Sequence, residues 1–252
     1  MAANDNRSIE FGWRVYGLGI VALAIVGFHW GDFISGQPVP KWFPERIALA
    51  HAAAAFMLLA GLGIEWRRTV TWAAAALALY YGVVVLLLMN GNVILKNLTV
   101  FGAYSGAAEP LAITAGALIV YAMNADIGAS LAGRLILVAQ KAFGVCALMF
   151  GAAHFVYMEY TAPLIPAWLP PSQLFWGYAT GVFHVLAGLA ILTGIRARLA
   201  AILAAVMYAS FIPLVFVPTL MKEPTSFRWT ELATTIVLIG VAWTVAESLK
   251  RR

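Results

Sequence analysis

Eight apolar stretches, each about the length of a bilayer-spanning helix, leave this chain few ways to fold. They occupy residues 13–33, 46–64, 70–89, 106–123, 137–158, 174–193, 199–219 and 230–248. Crossing about 30 Å of hydrocarbon takes about 20 residues of helix, and a helix satisfies its own backbone hydrogen bonds where no water can. With 63% hydrophobic and 11% charged residues, the chain lacks the polar surface to wrap a soluble core. The expected fold is therefore an all-α polytopic membrane protein with eight transmembrane helices and a lipid bilayer as its principal partner. Asp5 and Glu10 precede a first apolar run that is too long for a signal core and has no small-x-small cleavage pattern, so it reads as a retained span. The single cysteine, Cys146, excludes an internal disulfide.

The chain also reads as two halves. His29-Trp30 is followed by Pro40-Lys41-Trp42-Phe43-Pro44 and His51, and His154-Phe155 by Pro166-Ala167-Trp168-Leu169-Pro170 and His184. The offsets between copies are 125 at the first histidine, 126 across the Pro-x-Trp-x-Pro segment and 133 at the second histidine, as expected of a tandem duplication with short insertions. The expected units are residues 1–124 and 133–252, joined where Asn124, Asp126 and Gly128 interrupt the apolar pattern. Each unit has an even number of spans, so both enter the membrane in the same sense, as parallel four-helix repeats.

Charge orients the frame. Arg7, Arg14, Arg67, Arg68, Arg134, Lys141, Arg196, Arg198, Lys250, Arg251 and Arg252 fall on the side of the termini, against Lys41, Arg46, Lys96, Lys222 and Arg228 on the other, a split of 11 to 5. The positive-inside rule then places both termini in the cytoplasm and, for a bacterial chain, the protein in the inner membrane. The pI of about 9.5 reads as topology and contact with anionic lipid, with no nucleic-acid partner.

All four histidines fall toward the outer ends of their spans, as do Glu109 and Glu231 near the start of the fourth helix of each half. Ionisable groups in spans are costly and usually face a bundle interior. His29, His51, His154 and His184 are thus candidate ligand-binding residues together with Glu109 and Glu231. Three chemistries fit: axial ligation of a b-type haem, a first-row metal held by imidazole with carboxylate support, and hydrogen bonding to a quinone head group near an aromatic rim. Against these stand plain structural roles, in which the histidines bond loop carbonyls and the glutamates cap helix N-termini. The prolines flanking Trp42 and Trp168 resist helix and favour stiff bends, which makes the two tryptophans candidates for a loop lid. Pro213 and Pro218 permit a kink that frees carbonyls in the seventh span.

Phe143-Gly144, Phe150-Gly151-x-x-His154-Phe155, Ile165-Pro166-x-Trp168-x-Pro170, Thr180-Gly181-x-x-His184-x-x-x-Gly188, Arg196 and Arg198 together resemble the DoxX family of small four-helix membrane proteins over residues 137–219. The first half is similar through His29, Pro40-x-Trp42-x-Pro44 and Gly61. Where that family commonly carries glutamate, this chain has His184. The resemblance implies a membrane subunit or small enzyme of a quinone-linked redox system, with a redox partner subunit. The alternatives are a non-enzymatic assembly or scaffold subunit and a carrier for a small solute.

Overall fold

The computed structural model describes residues 11–251, so the expectations resting on Asp5, Arg7, Glu10 and Arg252 concern positions outside the described residues. Among the described residues the regular structure is entirely helical, and eight helices are long and apolar enough to cross a membrane. They are α1 (Phe11–Trp30), α2 (Arg46–Ile64), α3 (Val70–Lys96), α4 (Phe101–Asn124), α5 (Ala129–Val156), α6 (Gln173–Thr193), α7 (Ala197–Lys222) and α8 (Ser226–Ser248). Short turns at Met158–Thr161 and Ala162–Leu164 follow α5.

Helices extend past the apolar runs where polar residues still favour helix. α3 continues through Asn90 to Lys96, and α5 begins at Ala129, which shortens the connection between halves to residues 125–128. Both α3 and α7 contain a wider π-helical stretch, Tyr80–Asn90 and Ile212–Phe216. Widening the turn disturbs the carbonyl pairing, and side chains compensate. Asn90 donates to Val85 O at 2.9 Å in α3, and Thr219 donates to Val215 O at 2.8 Å in α7.

α4 and α8 form the centre: 67% of the spanning window of each is buried, against 22% for α3 and for α7. They touch each other, α1 packs on α8, and α5 packs on α4. The hairpins α1–α2 and α5–α6 and the neighbours α3–α4 and α7–α8 complete the arrangement. Exchanging the halves therefore maps each contact onto another.

Close approach of backbones holds these contacts. A Cβ on Gly240 would lie 2.2 Å from Tyr16 N, one on Gly19 2.6 Å from Val237 N, and one on Gly12 2.6 Å from Thr244 N, so glycine is required at three successive levels of the α1–α8 seam. Tyr16 is fully buried at the middle level, and its hydroxyl donates to Ile113 O of α4 at 3.1 Å, linking three helices. The hairpins use the same device. A Cβ on Gly61 would sit 3.0 Å from Gly17 O, and one on Gly188 2.7 Å from Gly144 O. These pairs share an offset of 127 residues, as do the contacts Gly27–Ala54 and His154–Gly181.

At the end that carries the termini, Lys141 donates to Ile191 O and Leu192 O and so closes the last turn of α6, where a cation also meets the negative helix end. Gly240→Val should lower the thermal midpoint in detergent through overpacking of about 1–3 kcal/mol, or roughly 2–12 °C for a chain of this size. Gly106→Ala, where a Cβ meets nothing within 4 Å, should leave the midpoint within error.

Candidate functional site

The structure brings together two of the four histidines. His154 on α5 and His184 on α6 have ring centroids 4.9 Å apart, and His184 also packs on Tyr208 at 5.5 Å and Phe211 at 6.4 Å. His184 is buried and His154 partly so, whereas His29 and His51 are exposed on α1 and α2. His29 rests on Trp30 and His51 on Phe28. In the packing register of 127, His154 corresponds to Gly27 and His184 to Met57, so the histidine pairs matched by sequence do not occupy equivalent places.

Each of His51, His154 and His184 places Nδ1 against the carbonyl four residues earlier, at 2.8, 2.9 and 2.8 Å. In a neutral ring this makes Nδ1 the donor and leaves Nε2 as an acceptor. The flanks of His184 are filled by Phe150, Tyr208 and Phe211, so no flat slot opens between the paired imidazoles and these residues do not fit a bis-histidine haem. Among the described residues no group of three or more His, Cys, Asp and Glu is placed to hold a metal ion.

Beside the histidine pair lies a cavity of about 880 Å³ between α6 and α7. It runs from Ile165, Pro166 and Leu169 of the second long connection to Arg196 at the far end of α7. Its walls are mostly apolar, and Phe183, Leu186 and Leu203 on its rim are more than half exposed, so it opens sideways on the outer face of the bundle. The π-helical stretch of α7 contributes Leu214, Val215 and Phe216 to the wall. Polar groups concentrate near the long-connection end, where His154, Thr180, Arg228 and Glu231 line it.

Glu231 reaches the cavity from the central helix α8, and Glu109 of α4 lies near it. Neither caps its helix. The N-cap of α4 is Val100, and that of α8 is Thr225, whose hydroxyl accepts from Arg228 N at 3.3 Å. The two carboxyls straddle consecutive residues of the first long connection: Ser35 lies against Glu231, and a Cβ on Gly36 would sit 3.9 Å from Glu109 Oε2. Next to them Gln37, which is 3% exposed, donates to Tyr80 OH at 3.0 Å and to Met57 Sδ at 3.6 Å, plugging the first half where the second half has its cavity.

Trp42 and Trp168 are 79% and 72% exposed and point away from the interior. The first connection is held instead by Arg46, which pairs with Asp32 at 2.6 Å and donates to Val39 O and Pro40 O. The second is held by Trp176 Nε1 donating to Pro170 O at 2.8 Å and by Gln173 donating to Ile165 O at 2.5 Å. The sequence assigns no site role to Thr180, Arg228, Gln37, Tyr81 or Tyr208. Tyr208 stands at the position corresponding to Tyr81.

Residues 143–246 match a family model described as a domain of unknown function (DUF8561), a stretch that includes His154, His184, Tyr208 and Glu231. No curated protein matches the chain, and no solved structure does.

Tyr81 OH reaches Met57 Sδ at 3.1 Å, but the buried Tyr208 OH has no hydrogen-bond partner among the described residues. Removing it should therefore relieve a desolvation cost, whereas removing the Tyr16 hydroxyl breaks a bond. Tyr208→Phe should stabilise by about 1 kcal/mol and Tyr16→Phe destabilise by a similar amount, with opposite displacements of the unfolding midpoint in detergent.

Proposed function

We propose that the chain is an integral membrane protein of two parallel four-helix repeats, DoxX-like in its second half, that binds an isoprenoid quinone in the cavity between α6 and α7. On this reading it serves as a membrane subunit or small enzyme of a quinone-linked redox system. The observation that carries the proposal is the shape of the site: a long apolar groove with its uncharged hydrogen-bonding groups and one carboxyl gathered near one end. An amphiphile with a small polar head and a hydrocarbon tail has the complementary distribution.

In this arrangement His154 and Glu231 hold the head group, and the walls of α6 and α7 hold the tail. His184 fixes the orientation of His154 by packing against its ring. The pair Glu231–Glu109 supplies carboxyl groups through which a proton passes between the cavity and the interior beneath the first connection. Both termini face the cytoplasm by the distribution of Lys and Arg, which puts the head group near the outer leaflet. His29 and His51, exposed on the other half, take no part in the site.

The test is organic extraction of protein purified in mild detergent, with quinone quantified per chain. Wild type should carry quinone well above its proportion in the bulk lipid extract. Loss of a hydrogen bond between uncharged groups is worth about 0.5–1.5 kcal/mol, so His154→Ala and Glu231→Ala should each reduce the bound pool of quinone and quinol about two- to tenfold, while His29→Ala with His51→Ala leaves it unchanged. Wild-type protein with no enrichment would defeat the proposal and favour a scaffold role.

A further inference from the structure

The hydrogen-bonding protons around the cavity are almost all committed to the protein itself. Thr180 donates to Trp176 O at 2.8 Å, Ser210 to Met207 O at 2.7 Å, and Thr219 to Val215 O at 2.8 Å. Thr161 donates to Tyr157 O at 3.0 Å, and the indole of Trp176 to Pro170 O at 2.8 Å. The Nδ1 proton of a neutral His154 goes to Phe150 O at 2.9 Å.

What remains facing the space is a set of acceptors. A hydroxyl that has given its proton to a carbonyl keeps its oxygen lone pairs, and a histidine donating through Nδ1 presents a bare Nε2. The carboxylate of Glu231 accepts through both oxygens, and its protonated form keeps an accepting oxygen beside its single donor. Two lining residues are cationic donors. Arg228 is held by Glu223 at 2.8 Å beside the polar end, and Arg196 lies at the opposite end of the groove. The uncharged polar surface is thus nearly all acceptor.

A polar group buried without a partner costs on the order of 1–3 kcal/mol, so a site rejects head groups that cannot complement it. A quinone offers two carbonyl oxygens, which are acceptors, to a wall of acceptors. Its reduced form offers two hydroxyl donors.

Building on the proposed quinone site, we infer that the cavity selects the hydroxyl-bearing, reduced form of its amphiphile: a quinol head donates to His154 Nε2 and to Glu231, and the oxidised form is the weaker ligand. The selectivity comes from the side-chain-to-backbone bonds of α5, α6 and α7, which fix the direction of the hydroxyl, indole and imidazole donors before any ligand arrives.

The experiment is equilibrium retention of a decyl-substituted benzoquinone and of its chemically reduced quinol on immobilised full-length protein, under argon, in micelles of fixed composition. Wild type should hold the quinol at least tenfold more tightly. His154→Gln and Glu231→Gln each introduce an amide donor at the head-group position, and both should shrink the preference to threefold or less, with circular dichroism and elution volume confirming the fold. Either variant suffices if the other does not fold. Equal affinity of wild type for both forms would overturn the inference and leave the quinone site standing. Absence of saturable binding by either form would overturn the site itself.

Discussion

The α1–α8 seam, where three glycines let two backbones meet, is the contact on which the rest of the molecule depends. Helices with apolar sides all round gain little from hiding apolar surface when the surroundings are also apolar, so association relies on close packing and on hydrogen bonds. Gly12, Gly19 and Gly240 supply the first, and Tyr16, anchored on Ile113 O, the second. Because α8 is pinned this way, Glu231 has a fixed depth and direction. Because α4 is pinned by the same tyrosine, Glu109 is brought beside it.

The two halves share a packing register but differ in chemistry. At corresponding places the first half has Gly27, Met57 and Tyr81, and the second has His154, His184 and Tyr208. The first set is closed: Tyr81 reaches the Met57 sulfur, and Gln37 descends from the first connection to meet Met57 and Tyr80. The second set is open, with an orphaned Tyr208 hydroxyl behind the histidines and a cavity in front of them. The first half is thus plugged where the second half has a groove.

Most of the helix plan was legible in the sequence, because length and hydropathy are properties of single segments. α2 begins and ends where the apolar run does, and α6 departs by one residue. The extended ends of α3 and α5 were hidden, since Asn90, Lys96 and Arg134 end an apolar run without ending a helix. The site was legible only in part. His154, His184 and Glu231 stood out as ionisable groups in apolar surroundings, but pairing histidines by sequence motif set His29 and His51 beside them. The register that decides who faces whom is written in glycines such as Gly17, Gly61, Gly144 and Gly188, whose role appears only when two helices are in contact. Gln37 and Asn90 were invisible for a related reason: their importance lies in the loop and the widened turn that they satisfy.

If the cavity holds a lipid-soluble amphiphile as proposed, its sideways mouth changes what concentration means for this protein. On the proposed function, a groove whose rim is Phe183, Leu186 and Leu203 exchanges its occupant with the surrounding lipid and not with water. Occupancy then follows the mole fraction of the ligand among the neighbouring lipids, and a compound almost insoluble in water can saturate the site while its aqueous concentration stays negligible. Dilution into more lipid empties such a site, and dilution into more buffer does not.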